Sequence, residues 1–318
     1  MIKEPTPGLE QSRELIEEQG HNTSVHFTFV RHSQKSSGQV FAEGGKGISR
    51  SSISEGGRQR AEVYGRDQMS SRRINKAYAT KVDRTKETLN YAFQAAEINP
   101  DILQKSDSSQ SFFSLPALSG STEFNRRYDA IMLPERQKFI DGHYPGRQFS
   151  ELTPDEQEVA AEYAEEPALE WYLSYNNERP DEETPSPREQ AASVAFKLNR
   201  LVNLTDFMPN GKELDLVSSG HKTSTEALLK YIIERQENGE VVVGFESLEQ
   251  IGGSLKILDS WDLYVQNDEG GEKHIMMVLR RENGETQEYG LNSSILNELA
   301  KEYIEASSLK PKKIDSLQ

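Results

Sequence analysis

The spacing of apolar residues changes several times along the chain. From residue 25 to about 100, short apolar runs alternate with helically spaced segments, the pattern of βαβ units on a parallel sheet. The first run, Phe27-Thr28-Phe29-Val30, is β-branched and aromatic and stops abruptly at Arg31-His32. A loop rich in Gly and Ser, Ser33 to Ser52, follows at once. Ser54-Glu55-Gly56-Gly57 then opens a helix, with Ser54 as N-cap and an acid in the first turn. A short strand around Tyr78-Ala79 turns into a second helix that carries Arg84.

Between about 101 and 185 the periodicity degrades and charge rises, most visibly in Glu151 to Glu158 and Arg179 to Pro185. Within this stretch Thr153-Pro154-Asp155-Glu156 reads as an N-cap, a Pro at the first helical position and acids in the first turn, opening a helix toward Tyr163. Pro187 to Asn203 is amphipathic, with Val194, Leu198 and Leu201 on one face. The strand Leu214 to Val217 ends in Ser218-Ser219-Gly220-His221, and Thr223-Ser224-Thr225-Glu226 starts a helix, Ala227 to Glu234. After residue 240 the period becomes two. Trp261, Leu263 and Val265 form one strand and Ile275, Met277 and Leu279 the next, with turns at Gly270-Gly271 and Asn283-Gly284. This predicts an antiparallel meander, followed by a helix over Ser294 to Ala306.

Buried strands are apolar, so a cation and an imidazole at a strand end mark the point where the sheet meets a solvent-reachable crevice. Arg offers a planar fork of donors matched to phosphate oxygens, and an imidazole can accept a phosphoryl group. The same design recurs at His221, and Arg84 stands where a strand turns into a helix.

Arg31-His32, the Ser54 helix start, the Thr80 to Thr88 segment and the strand ending at His221 follow one another in the order of the histidine phosphatase superfamily, phosphoglycerate-mutase-like, branch 1 type, which the chain resembles. The resemblance implies an α/β three-layer fold with a mostly parallel central sheet flanked by helices, a helical insertion at about 101–185 forming a cap beside the site, and a C-terminal antiparallel β meander. It implies a phosphohistidine on His32, later attacked by water, with Arg31, Arg84 and His221 gripping the phosphoryl oxygens. His32, His221 and an acid are then the catalytic set. For the acid, which protonates the leaving oxygen, the nearest match to the family pattern is Glu123, with Asp129 and Glu135 as rivals. The chain departs from the family at Ser33, where Gly is usual, at Thr85, where Ala is usual, and in Ser218-Ser219-Gly220-His221.

A net charge of −15 argues against nucleic acid as a partner, because phosphate backbones are bound by clustered Lys and Arg. It also requires that Arg31 and Arg84, with Lys35 and Lys222 as further candidates, focus positive potential locally if an anionic substrate is to bind. The absence of cysteine excludes disulfides and thiolate metal sites. His26, His143 and His274 do not form a metal-ligand spacing, and Gly252-Gly253-Ser254 is a turn rather than a phosphate loop. No apolar run is long enough for a membrane span and the start lacks a signal-peptide core, so a cytoplasmic location is expected.

The expected organisation is a loosely attached arm over 1–22 with a short helix Leu9 to Glu18, a single domain over 23–305, and a flexible basic tail over 306–318. The expected function is hydrolysis of a phosphate monoester, on a small molecule or a phosphoprotein, without cofactor or metal. A mutase on the same fold and a non-catalytic protein that binds a phospho-ligand are the alternatives.

Overall fold

The computed structural model describes residues 19–34, 52–104, 118 and 120–308. The expected helix Leu9 to Glu18, most of the loop after Ser33 with Lys35, and the tail from residue 309 lie outside the described residues. Residues 19–22 of the expected arm are tied to the body: the Gly20 amide donates to the Met208 carbonyl at 2.9 Å and the Asn22 amide to Asp268 O at 3.0 Å.

The described strands form one eight-stranded sheet. Its parallel part consists of β1 (Thr23–Arg31), β2 (Lys76–Ala79) and β3 (Glu213–Gly220), in the order β2-β3-β1. Beyond β1 follow β6 (Ser260–Asn267), β7 (Lys273–Arg280) and β8 (Thr286–Leu291), and then the hairpin of β4 (Ile233–Glu237) and β5 (Glu240–Val243). Only β1–β3 and β2–β3 pair in parallel; every other pairing of these strands is antiparallel. The expectation of a mostly parallel sheet is therefore corrected to a three-strand parallel unit extended by antiparallel strands. The reason is that the period-two C-terminal strands add directly to β1, and hairpin turns can join only antiparallel neighbours.

Successive residues of a strand point to opposite faces, and both faces of the parallel part are apolar. On one face Val30, Ala77, Ala79 and Val217 pack against Tyr64 of α1 (Glu55–Gln68) and Leu89, Ala92 and Phe93 of α2 (Asp83–Ala95). On the other, Phe27, Phe29 and Leu216 join a cluster with Leu198 and Leu201 of α5 (Pro187–Leu204), Leu228 of α6 (Lys222–Ile232) and Leu299 of α7 (Ser293–Ser308). The region 101–185 contributes α3 (Thr122–His143) and α4 (Pro154–Leu173). Helix α4 starts as its sequence predicts, with Thr153 and Glu156 in a reciprocal capping box, and continues ten residues past Tyr163. No described helix is long and apolar enough to cross a membrane.

Helices α1 and α2 approach closely at Gly65, where an added Cβ would lie 2.0 Å from the Ala92 carbonyl oxygen. Gly65→Ala has to push α2 outward, and overpacking of this kind costs about 1–3 kcal/mol. A lowered urea midpoint is the expected result; a midpoint equal to wild type would show that the helix pair yields freely.

Candidate active site

The parallel register brings the chemistry-bearing residues together. Arg31 lies opposite Gly220 across β1 and β3, and Ala79 lies opposite Ser219 across β2 and β3. The residues that follow each strand, His32, Thr80 and His221, therefore emerge at the same carboxyl edge of the sheet, the edge at which α/β folds place ligands. Arg84 reaches the same place from the first turn of α2. Gly220 permits the close approach: a Cβ there would meet the Phe29 ring at 2.8 Å.

The imidazoles of His32 and His221 stand 5.1 Å apart, centroid to centroid, with their planes at 68°. Arg84 links them. Its Nε donates to His32 Nε2 at 3.0 Å and its Nη2 lies 3.3 Å from His221 Nδ1. His32 Nδ1 is 2.8 Å from the Ser33 carbonyl, and His221 Nε2 is 3.4 Å from the Thr80 hydroxyl. Because an arginine only donates, these bonds assign the proton of His32 to Nδ1 and that of His221 to Nε2. Burial, followed by the Arg84 charge, pushes both imidazoles down, His221 to about 3 and His32 well below its ordinary value. Both rings are therefore neutral at physiological pH. His221 occupies the N-cap position of α6 but makes no capping bond with its side chain, which leaves the ring to the crevice.

The departures from the family pattern at Ser33 and Thr85 are absorbed by local bonds. The buried Ser33 hydroxyl donates to Gly57 O at 2.6 Å and its amide to Thr88 Oγ1 at 2.9 Å. Thr85 Oγ1 donates to Val82 O at 2.7 Å and sits 3.0 Å from Thr80 Oγ1. Both hydroxyls brace the turns that carry His32 and Arg84.

Arg31 is buried, and its fork is occupied by protein groups: Nη1 donates to Leu255 O at 2.6 Å and to Glu162 Oε1 at 3.0 Å, and Nη2 to Glu165 Oε2 at 3.4 Å. Burial works against its charge, but Glu165, Glu162, Glu158 and Glu226 outweigh burial and hold it above its ordinary value. Lys222 Nζ lies 2.7 Å from the same Glu165 oxygen. Arg84 shows the opposite balance: burial and the Arg31 charge lower it.

The expected acid Glu123 is placed elsewhere. It lies in the first turn of α3, and its two carboxylate oxygens accept from Arg126 and, at 2.8 Å, from Arg127 of its own helix. Glu135 pairs with Lys138 at 3.6 Å, and Asp129 is exposed. None of the three is brought into contact with His32, Arg84 or His221. The carboxylates that surround the site cations come instead from α4, namely Glu158, Glu162 and Glu165, and from Glu226 of α6. The signal that could have found them is their spacing: Glu158, Glu162 and Glu165 recur at i, i+4 and i+7 in line with the buried Leu169 and Leu173 at i+11 and i+15, so they lie on the packed side of α4 rather than its solvated one.

The remaining histidines serve other ends. His26 stacks on Tyr264 at 4.3 Å and bonds Asp262 at 2.8 Å, and His143 Nδ1 bonds the Phe139 carbonyl at 2.9 Å. Among the described residues one group has metal-competent spacing, Asp268, Glu272 and His274. It sits on the largely exposed β6–β7 turn, at the opposite end of β6 from the strand-end crevice.

No family model matches the chain, and no curated protein matches it. The solved structures to which it is similar include two phosphatases, one of them a phytase, and a mutase. A mycobacterial glucosyl-3-phosphoglycerate phosphatase shares 13% identity, over 79% of this chain and 97% of that one, with a TM-score of 0.42. A phosphoglycerate mutase from Bacillus anthracis shares 11%, over 88% of this chain and 98% of that one, with a TM-score of 0.38. The Hafnia alvei phytase shares 9%, over 92% of this chain and 98% of that one, with a TM-score of 0.46.

Proposed function

We propose that this chain is a phosphomonoesterase that passes the phosphoryl group of a small molecule or phosphoprotein through His32 to water. The observation that carries the reading is the neutral, buried His32, with Nδ1–H tied to a backbone carbonyl and the Nε2 lone pair facing a guanidinium. An oxyanion offered to Arg84 replaces that bond and leaves Nε2 aimed at phosphorus. The N–P bond forms as the ester O–P bond breaks, and a carboxylic acid gives its proton to the leaving oxygen. Water then attacks the phosphohistidine, losing a proton to the same carboxylate, and inorganic phosphate leaves. His221 and Arg84 neutralise charge on the equatorial oxygens. We assign the proton transfer to Glu165, an anion in its ion pairs with Arg31 and Lys222 that also acts on the charge of Arg84: its carboxylate takes the proton of a monoanionic ester and passes it to the leaving oxygen.

Hydrolysis of p-nitrophenyl phosphate with chelator present tests the assignment. His32→Ala is expected to lower kcat by about a thousandfold or more with an unchanged melting curve, and activity within about tenfold of wild type would remove His32 from the mechanism. Arg84→Ala is expected to weaken inhibition by vanadate by about tenfold or more. Because the folded protein holds His32 unprotonated well below the ordinary histidine range, kcat/KM corrected for substrate ionisation should not fall as the pH drops through about 6.5. A loss of rate centred there would mean that His32 titrates normally.

The proton donor is tested by leaving group. Glu165→Gln is expected to slow alkyl phosphates about a hundredfold more than p-nitrophenyl phosphate, whose anion departs without a proton, while Glu123→Gln should leave both near wild type. The reverse pattern would return the role to Glu123.

A further inference from the structure

The phosphoryl-transfer scheme makes no use of Glu226, although its charge is felt at Arg31. Glu226 lies on α6 beyond His221 and is fully buried. Its Oε1 accepts the Leu255 amide at 2.6 Å, and its Oε2 has no hydrogen-bond partner. The carbonyl of the same Leu255 accepts from Arg31 Nη1 at 2.6 Å. The backbone of one residue, its N–H on one side of the Cα and its C=O on the other, is thus suspended between a buried carboxylate and the guanidinium at the end of β1.

We propose that Glu226 is a positioning residue of the oxyanion site: it fixes the Arg31 guanidinium through the backbone N–H and C=O of Leu255, and its own charge sets how tightly the crevice holds a dianion. The inference rests on the reading of the crevice as a phosphate site. The charged and titratable groups that face Glu226 are Lys222 on its own helix, Arg31 on β1, Glu165 on α4 and Tyr128 on α3. Burial pushes the carboxyl up to about 7; Lys222, the Leu255 amide and Arg31 pull against that shift and Glu165 adds to it. Near neutrality the group therefore changes charge, whereas His32 and His221 are already neutral there. When ionised, Glu226 repels a dianion seated between Arg84 and Arg31. When protonated, it keeps an acceptor oxygen for the Leu255 amide and drops the repulsion. A dianion and a proton then bind together, each strengthening the other.

Tungstate is the probe, because it stays a dianion over the pH range used while phosphate does not. In wild type its inhibition constant is expected to rise about fivefold or more between about pH 6.5 and 8.5, and calorimetry near pH 7 in two buffers of different ionisation enthalpy should show proton uptake on binding. In Glu226→Gln the amide keeps the shape without the charge, so binding should stay at the tight end, flat with pH and without proton uptake. An equal slope in the variant and wild type overturns the proposal. Where the variant fails to fold, the wild-type calorimetry decides: uptake supports the proposal and its absence overturns it. A wild type that binds no tungstate overturns the phosphate-site reading as well, whereas one that binds without proton uptake overturns this inference alone.

Discussion

The parallel register of β1 on β3 is the constraint from which the site follows. With Arg31 opposite Gly220, the His32 amide donates to the Gly220 carbonyl at 3.1 Å, and the two imidazoles leave their strands side by side. A slip of one residue would turn every side chain of β1 to the other face, exchanging the Phe29 cluster with the Val30 cluster and separating His32 from His221. The apolar runs on both faces therefore hold the chemistry in place. Gly220 is part of the same constraint, since any side chain there would displace the Phe29 ring that β1 buries beneath it.

The second organising element is the acidic side of α4. In a chain of net charge −15, these carboxylates do more than add to solvated charge. Glu162 accepts from the Ile257 amide at 2.9 Å, Glu166 from the Ser254 amide at 3.1 Å and Glu170 from the Leu248 amide at 3.1 Å. At a spacing of four residues they form a ladder that satisfies backbone donors of an irregular segment with no strand to pair with. The helix of the insertion is thereby bonded to the segment that carries Leu255, and through Leu255 to Arg31. Charge-assisted bonds of this kind make α4 a fixed wall of the crevice.

Legibility in the sequence followed how local each determinant was. Strand ends could be read because an apolar run that stops at Arg31-His32 or Gly220-His221 needs no distant partner to be recognised. The N-caps at Ser54 and Thr153 and the meander after residue 260 were equally local. Helix α6 begins five residues before the expected Ala227, because Lys222 to Glu226 is rich in Ser and Thr, weak helix formers that here are buried against the core. The expected continuation of that helix to Glu234 is instead β4, paired to β5 across Asn238-Gly239, whose φ values of 53° and 85° fit the two-residue hairpin turn that Asn-Gly favours. The carboxylates around Arg31 were not legible, for a different reason. Glu123 fits a pattern along the chain, whereas the α4 carboxylates reach Arg31 only through the packing of segments more than a hundred residues apart.

The two arginines that the sequence treats alike differ physically. Arg31 is held by two carboxylates and a carbonyl, so an oxyanion that approaches it must displace charge that already stabilises it, and the net gain is small. Arg84 donates to two neutral imidazoles, and burial beside Arg31 makes its own charge costly. The two guanidiniums are thus unlike: the Arg31 charge is matched by protein carboxylates, whereas the Arg84 charge is disfavoured where it stands, beside His32 Nε2. Arg31 spends its charge on holding the wall of the crevice, and the strength of that hold passes through Leu255 to Glu226.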